Sequence, residues 1–317
     1  MVPNFQTVPV HAWTSRPYQS EDDLRQMQGL LMEARSQTDD WRYAHVGDLM
    51  FWFFMVMCHL NPQEHIRLWH DADKLVGYAI LGEDPSFDCQ VLPGYVGSGI
   101  EDEALAWAEA CLAALRASDA QRWSRALVSS ARQDDAERIA FLEWYGFRAG
   151  EWVEVNMLRS LDEPIAEAVL PPGCQVRAVC DSDLSERAAI QREVWQPWSV
   201  GKVSDADYGR LMRLPGYERE LDIVAVMPDG VIAAYTNGWS DPLNGVGDFG
   251  PVGARPAYRR RGLTRAVLLE ELRRMRARGM NRVSVSTDAP NTPARGLYES
   301  VGFRVVNRCV EYVKQDG

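Results

Sequence analysis

Three consecutive arginines, Arg259, Arg260 and Arg261, stand before Gly262 at the mouth of a periodic apolar segment, "RRRGLTRAVLLEELRRM" (259 to 275). The first amides of a helix lack intrahelical partners, and the helix dipole places about half a positive charge there. A glycine in the preceding turn lets an anion come close enough to accept several N–H bonds at once. The arginines supply charge, Gly262 removes a blocking side chain, Leu263 opens the helix and Thr264 adds a hydroxyl. The chemistry this arrangement suits is phosphate binding. The competing reading is a solvated basic turn before an amphipathic helix, but it leaves unexplained why cations gather at the positive end of a dipole.

The elements around the turn follow from periodicity. Leu268, Leu272 and Met275 recur at i, i+4 and i+7, a stripe for packing on a sheet, while Glu270, Arg274 and Arg278 face water. Upstream, "LDIVAVM" (221 to 227) and "VIAAYTNGW" (231 to 239) flank "PDG" and predict a hairpin, which "VGDFGPVGA" (246 to 254) extends. "RVSVST" (282 to 287) reads as a buried strand and "FRVVNRCVEYV" (303 to 313) as the last one. "VRAVCDSDLSERAAIQREVW" (176 to 195) opens with a short strand and continues as a helix capped by Asp181 or Ser182. The sum is a mixed, mostly antiparallel sheet backed by helices, an α/β (α+β) class.

Composition bounds the function. The chain has 317 residues, 46% hydrophobic and 25% charged, the balance of a globular protein long enough for two domains. Its net charge of -11 argues against nucleic acid, whose phosphates demand a basic surface, and mildly favours a cationic acceptor. The longest apolar run, "LMFWFFMVM" (49 to 57), is far short of the roughly 20 residues that cross a bilayer and reads as a buried strand. The amino terminus lacks the basic start and apolar core of a secretory signal, so a cytoplasmic address is expected. Six scattered cysteines without C-x-x-C predict reduced thiols, and His65 and His70, five apart, miss metal-ligand spacing; no metal is expected.

The chain repeats itself. "LPGYVGSGIEDEALAWAEACL" (92 to 112) followed by "FLEWYGF" (141 to 147) parallels "RPAYRRRGLTRAVLLEELRRM" (255 to 275) followed by "LYESVGF" (297 to 303). Both set Pro-x-Tyr before a glycine turn, then a helix, a strand and an aromatic stretch closing in Gly-Phe. The proline-to-phenylalanine distance is 54 residues in the first copy, Pro93 to Phe147, and 47 in the second, Pro256 to Phe303. The proline-rich "LDEPIAEAVLPPGC" (161 to 174) connects the copies, which places domains at 1–165 and 166–317.

Arg259-x-x-Gly262-x-Thr264 resembles the pyrophosphate loop, R/Q-x-x-G-x-G/A, of the GNAT superfamily of acyl-CoA-dependent N-acyltransferases, with threonine in place of the last small residue. Asn291 and "ARGLYESVGF" (294 to 303) resemble that family's asparagine and tyrosine segment. The resemblance implies two tandem GNAT-like domains and acetyl-CoA as the cofactor. It also implies that the strand Val252, Gly253, Ala254 hydrogen bonds to pantetheine, that Asn291 helps hold the cofactor and that Tyr298 is the general acid. A core role for Tyr298 is the alternative. Some members carry a glutamate base five positions before the asparagine; that site is Ser286 here, so Asp248 is named first, with Asp288 or water as substitutes.

By contrast, the first copy reads Val96-Gly97-Ser98-Gly99-Ile100-Glu101, with Leu142 in the place of Tyr298 and Asp135 in that of Asn291. Glycine survives while arginine, asparagine and tyrosine are missing, so the amino-terminal copy is expected to be silent. The layout is similar to that of mycothiol synthase and other two-repeat acyltransferases, although nothing in the sequence identifies a thiol-sugar acceptor. Trp195, Trp198, Tyr208 and Tyr217 are candidates to line the acceptor pocket or to pack between helices. The expected function is acetyl-CoA-dependent N-acetylation of a small-molecule amine. The alternatives are a non-catalytic CoA-binding sensor or scaffold and acetylation of a protein amine.

Overall fold

The computed structural model describes residues 12–38 and 41–315; residues 1–11, most of the stretch judged for a secretory signal, lie outside that range. The first half runs β1 (Trp13–Pro17), α1 (Glu21–Gln37), α2 (Val46–Phe51), α3 (Pro62–His65), β2 (Ile66–Asp71), β3 (Lys74–Leu81), β4 (Phe87–Val91), α4 (Ile100–Ser118), β5 (Val128–Arg132), α5 (Ala136–Trp144) and β6 (Phe147–Ser160). The second runs β7 (Gln175–Ala178), α6 (Leu184–Trp195), α7 (Asp205–Leu211), β8 (Asp222–Val226), β9 (Ile232–Asp241), β10 (Val246–Ala254), α8 (Leu263–Ala277), β11 (Arg282–Asp288), α9 (Thr292–Ser300) and β12 (Arg304–Lys314).

The strands form one sheet of order β1-β2-β3-β4 and a second of order β5-β12-β6-β11-β10-β9-β8-β7. Within the second sheet β10 and β11 are parallel, and the remaining neighbours are antiparallel. Its centre holds a feature that periodicity does not reveal: the halves exchange their last strands. β6, from the first half, lies between β11 and β12, while β12 pairs with β5. The eight-stranded sheet is thus built from strands of both halves.

The repeat is visible in the backbone. Short 3-10 turns at Pro93–Tyr95 and Pro256–Tyr258 lead to Gly99 and Gly262, which cap α4 and α8 with φ of 99° and 77°. The helices that follow β5 and β11 also match. Asp135 caps α5 by accepting the Arg138 amide at 3.0 Å, and Asn291 caps α9 by accepting the Ala294 amide at 3.3 Å.

The hairpin β8–β9, the strands β10 to β12 and the stripe of Leu268, Leu272 and Met275, all buried, stand as the sequence predicts. Two expectations are corrected. The run 49 to 57 is helical: α2 continues into a π-helical turn at Trp52–Val56. A run that is apolar throughout carries no period, and the local decision falls to His45, whose ring accepts the Gly47 amide at 2.9 Å while Asp48 accepts the His45 amide at 2.7 Å. Gly47 then lets α2 sit against Trp239 and Asp248, where a Cβ would come within 3 Å of both. The start of α6 is set by neither Asp181 nor Ser182 but by Asp183, which accepts the Cys180 amide at 2.8 Å after a 3-10 turn.

Among the described residues no helix is long and apolar enough to cross a membrane. Beneath β9, Glu271 of α8 is fully buried with no ion-pair partner among the described residues, accommodated where Gly238 lacks a side chain. Burial pushes its pKa well above the ordinary carboxylate value. The carboxyl is neutral in the fold and ionised in the unfolded chain, so its stabilising contribution is full below the unfolded pKa and is lost as pH rises toward the folded one. Glu271→Gln is expected to raise the melting temperature by a few degrees under alkaline conditions and hardly at all at acidic pH. Melting curves at the two pH values check this, and an equal shift at both contradicts it.

Candidate active site

The parallel ladder between β10 and β11 covers only Val246–Asp248 against Arg282–Ser284. The register with β9 then shifts between Phe249 and Val252 and resumes with Val252 opposite Thr236, Gly253 opposite Tyr235 and Ala254 opposite Ala234. Strands β10 and β11 therefore splay, leaving the β11-facing edge of Val252, Gly253 and Ala254 without a strand partner among the described residues. Such an edge is a row of amides and carbonyls ready to bind an extended ligand.

The arginine turn follows. Arg260 adopts φ of 61° and Gly262 φ of 77°, so two left-handed residues bend the backbone at the start of α8. For a residue with a side chain this conformation costs roughly 1–2 kcal/mol, and strain of that kind gathers at ligand sites. Arg259, Arg260 and Arg261 are exposed, Arg261 stacks over Tyr258 at 5.2 Å, and Leu263 is buried under the helix start while Thr264 is half-buried. In the first half Gly97 and Gly99 take the same left-handed places, with φ of 75° and 99°, but Glu101 folds back and accepts the Gly97 amide at 3.1 Å. The first turn carries its own anion. The second offers guanidinium groups instead.

Residues 188–303 match the acetyltransferase (GNAT) family. The chain carries a GNAT acetyltransferase domain. Across both halves it is similar to the mycothiol acetyltransferase of Acidothermus cellulolyticus, 27% identical over 269 residues and 76% of each chain. It is also similar to that of an Arthrobacter species, 25% identical over 256 residues, 78% of this chain and 76% of the relative. Its fold is that of a GCN5-related N-acetyltransferase from Sphaerobacter thermophilus (TM-score 0.62, 21% identity, 95% of each chain). A tandem GNAT protein from the clavulanic acid biosynthesis pathway shares it too (TM-score 0.65, 17% identity, 96% of this chain and 99% of that one). The chain is an acyltransferase of tandem GNAT build.

Beside the splay of the GNAT domain lies a cavity of about 1360 Å³, above the roughly 300–1,000 Å³ of common ligand pockets. Asp248, Val252, Asn291 and Tyr298 line it from the second half, and Asp48, Asp88 and Glu154 from the first. The arginine turn and Gly253 and Ala254 lie outside that lining. Asp248, 7% exposed, accepts the Ser284 hydroxyl at 2.7 Å, and burial together with the nearby Asp48 raises its pKa far above the carboxylate range. Tyr298, 6% exposed, packs on Phe303, and burial and then Asp248 push its pKa up, so its hydroxyl stays protonated. Asn291, besides capping α9, donates to the Thr287 hydroxyl at 3.3 Å. Asp288 is exposed and takes the Trp152 indole N–H at 3.1 Å, and Ser286 bonds to Asn156 at 2.7 Å.

The four candidate aromatic residues divide. Trp195 and Trp198 line the cavity, Trp195 bonding to the Tyr235 hydroxyl at 2.7 Å. Tyr208 and Tyr217 turn inward to Asp222, which also pairs with the fully buried Arg187 at 3.0 Å, and this polar knot fastens α6 and α7 to β8. Three cavity residues have no motif to announce them: Asp48, on α2 just before the apolar run; Asp88, on β4; and Glu154, on the exchanged strand β6. Glu154 sits opposite Asp288 on β11 and Cys309 on β12, and its pKa is raised to about 8, by burial first and then by Asp48, Asp288 and Asp248.

Proposed function

We propose that the protein transfers the acetyl group of acetyl-CoA to the amine of a small-molecule acceptor. Residues 166–317 act as the catalytic unit, and residues 1–165 form a unit that does not bind the coenzyme and that walls the acceptor chamber. The observation that carries this reading is the meeting of Asp248 and Tyr298 in one cavity where β10 begins its open edge. The names of the relatives, mycothiol acetyltransferases, support a small-molecule acceptor.

The residues present suit coenzyme A. An unpaired strand edge fits the pantetheine amides, and near Gly262 an added Cβ would meet only the Val169 carbonyl at 3.7 Å, which leaves the helix start open. When bound, acetyl-CoA supplies the acyl group as a thioester. Arg259, Arg260, Arg261 and the amides of Gly262, Leu263 and Thr264 hold the pyrophosphate. Val252, Gly253 and Ala254 align the pantetheine and aim a backbone N–H at the carbonyl where negative charge develops. Asn291, at the cap of α9 and on the cavity wall, would orient the cofactor arm. Asp248 accepts the proton of the acceptor's ammonium group, and Tyr298 gives its proton to the departing sulfur. Asp288, exposed and engaged with Trp152, suits the base role less well.

Calorimetry with acetyl-CoA, followed by thiol release with a panel of amines, tests the reading. Affinity without release from any amine would favour the sensor alternative, and no affinity at all would end both. The raised pKa of Asp248 adds a pH signature. Its base form appears only as pH climbs above the usual carboxylate range, so kcat/KM is expected to rise through the neutral region rather than near pH 4. Asp248→Asn is expected to remove that limb and to lower kcat by about tenfold or more. A pH profile unchanged in the variant assigns the base elsewhere.

A further inference from the structure

We propose that Ser284 is a positioning residue for the base of acetyl transfer: its hydroxyl holds Oδ1 of Asp248 and leaves Oδ2 to take the proton of the acceptor's ammonium group. The inference rests on the reading of Asp248 as the base and adds the residue that readies it.

The pairing is fixed by the sheet. Asp248 and Ser284 stand opposite each other at the last rung of the parallel ladder between β10 and β11, and past that rung the two strands part. Both residues are buried, at 7% and 3% exposure, and the Ser284 hydroxyl donates to Asp248 Oδ1 at 2.7 Å. The same hydroxyl lies 3.2 Å from the Gly247 carbonyl oxygen, so one proton has two acceptors. Oδ2 lies beside α2, where Gly47 leaves room: a Cβ on that glycine would stand 2.9 Å from it. Gly47, Asp248 and Ser284 all line the cavity.

A hydroxyl that rotates can serve both forms of the base. With Asp248 ionised, Ser284 donates to Oδ1 in a charge-assisted bond, the stronger kind. In the transfer, an N–H bond of the acceptor breaks, its electron pair stays on nitrogen and the proton joins Oδ2. The hydroxyl is then free to turn to the Gly247 carbonyl, so its bond to Asp248 is strongest in the form that removes the proton. The other charged and titratable groups around Asp248 come from several elements. Asp48 of α2 opposes ionisation, Arg35 of α1 and the Phe249 amide favour it, and Glu154 of β6, Glu271 of α8 and Tyr298 of α9 feel its charge. Among the described residues, Ser284 is the side chain that donates a hydrogen bond to the carboxyl.

The test follows the pH profile of kcat/KM in the full chain, with a primary amine that supports thiol release from acetyl-CoA. Ser284→Ala removes a donor to the charged form, so the ascending limb is expected to move up by about one pH unit. On that limb the rate falls about tenfold, while the alkaline plateau and the affinity for coenzyme A stay near those of the parent chain. Ser284→Thr, which keeps the hydroxyl, should return the limb to its place. Added to Asp248→Asn, Ser284→Ala should change the profile no further. A merely structural role would lower the whole profile and shift no limb. If Asp248→Asn removes the limb and Ser284→Ala leaves it in place, the proposal is overturned while acetyl transfer stands. A limb that survives Asp248→Asn overturns it together with the choice of base. The titration can also be read without an acceptor, by carbon NMR of aspartate labelled at its carboxyl, the signal lost in Asp248→Asn being that of Asp248. A chain that acetylates no amine, which strikes the acetyl-transfer reading, therefore still decides the contact: an upward midpoint in Ser284→Ala supports it and an unchanged one overturns it.

Discussion

Tyr298→Phe is expected to lower kcat by about 10²–10⁴, the range for loss of a positioned general acid, while coenzyme A binds as before. The substitution is clean for structural reasons. The ring contact with Phe303 survives, and among the described residues the Tyr298 hydroxyl has no hydrogen-bond partner to lose. Melting temperature should stay near that of the parent chain, so a fall in rate reports chemistry rather than folding. Steady-state kinetics and calorimetry on the same preparation decide it. A variant with parental kcat would return Tyr298 to the role of a core side chain.

Thr264→Glu should carry the second large effect. Thr264 stands where Glu101 stands in the first half, eight residues past the proline of each repeat. There the glutamate accepts the Gly97 amide, and Gly97 occupies the left-handed place that Arg260 takes in the second turn. A glutamate at 264 is therefore positioned to satisfy the Arg260 amide with its own carboxylate and to repel a diphosphate. Loss of a charge-assisted contact combined with like-charge repulsion amounts to about 3 kcal/mol, or roughly a hundredfold weaker binding of acetyl-CoA. Thr264→Ala, which adds no charge, should change affinity far less. If the glutamate variant binds coenzyme A like the parent chain, the pyrophosphate is held elsewhere.

These predictions rest on features of different visibility. Helix α8, the hairpin β8–β9 and strands β11 and β12 were legible because each is locally consistent: period, turn residues and cap agree over a short stretch. The Arg259 to Thr264 turn was legible for the same reason, since a helix start and its glycine are neighbours in sequence. The repeat was legible as a spacing of Pro-x-Tyr, glycine and Gly-Phe, and the matching caps of Asp135 and Asn291 bear it out. The contrast between a basic and an acidic turn could likewise be drawn from residue types alone.

The chamber was not legible. Its walls are made by contacts between residues far apart in the chain: α2 seated on β9 and β10 through Gly47, and β6 crossing into the other half's sheet to set Glu154 opposite Asp288. Strand exchange leaves no local mark, because a strand that completes a foreign sheet shows the same alternation as one that completes its own. The run from 49 to 57 failed for a related reason: a stretch that is apolar at every position has no period, and the His45 cap and the surface it docks on select a helix. Local sequence therefore determined most of the elements and the basic glycine turn before α8. The surroundings of Asp48, Glu154 and Asp248, and with them the acidity of the cavity, were decided by tertiary packing, since burial and like-charge proximity exist only once the two halves interlock.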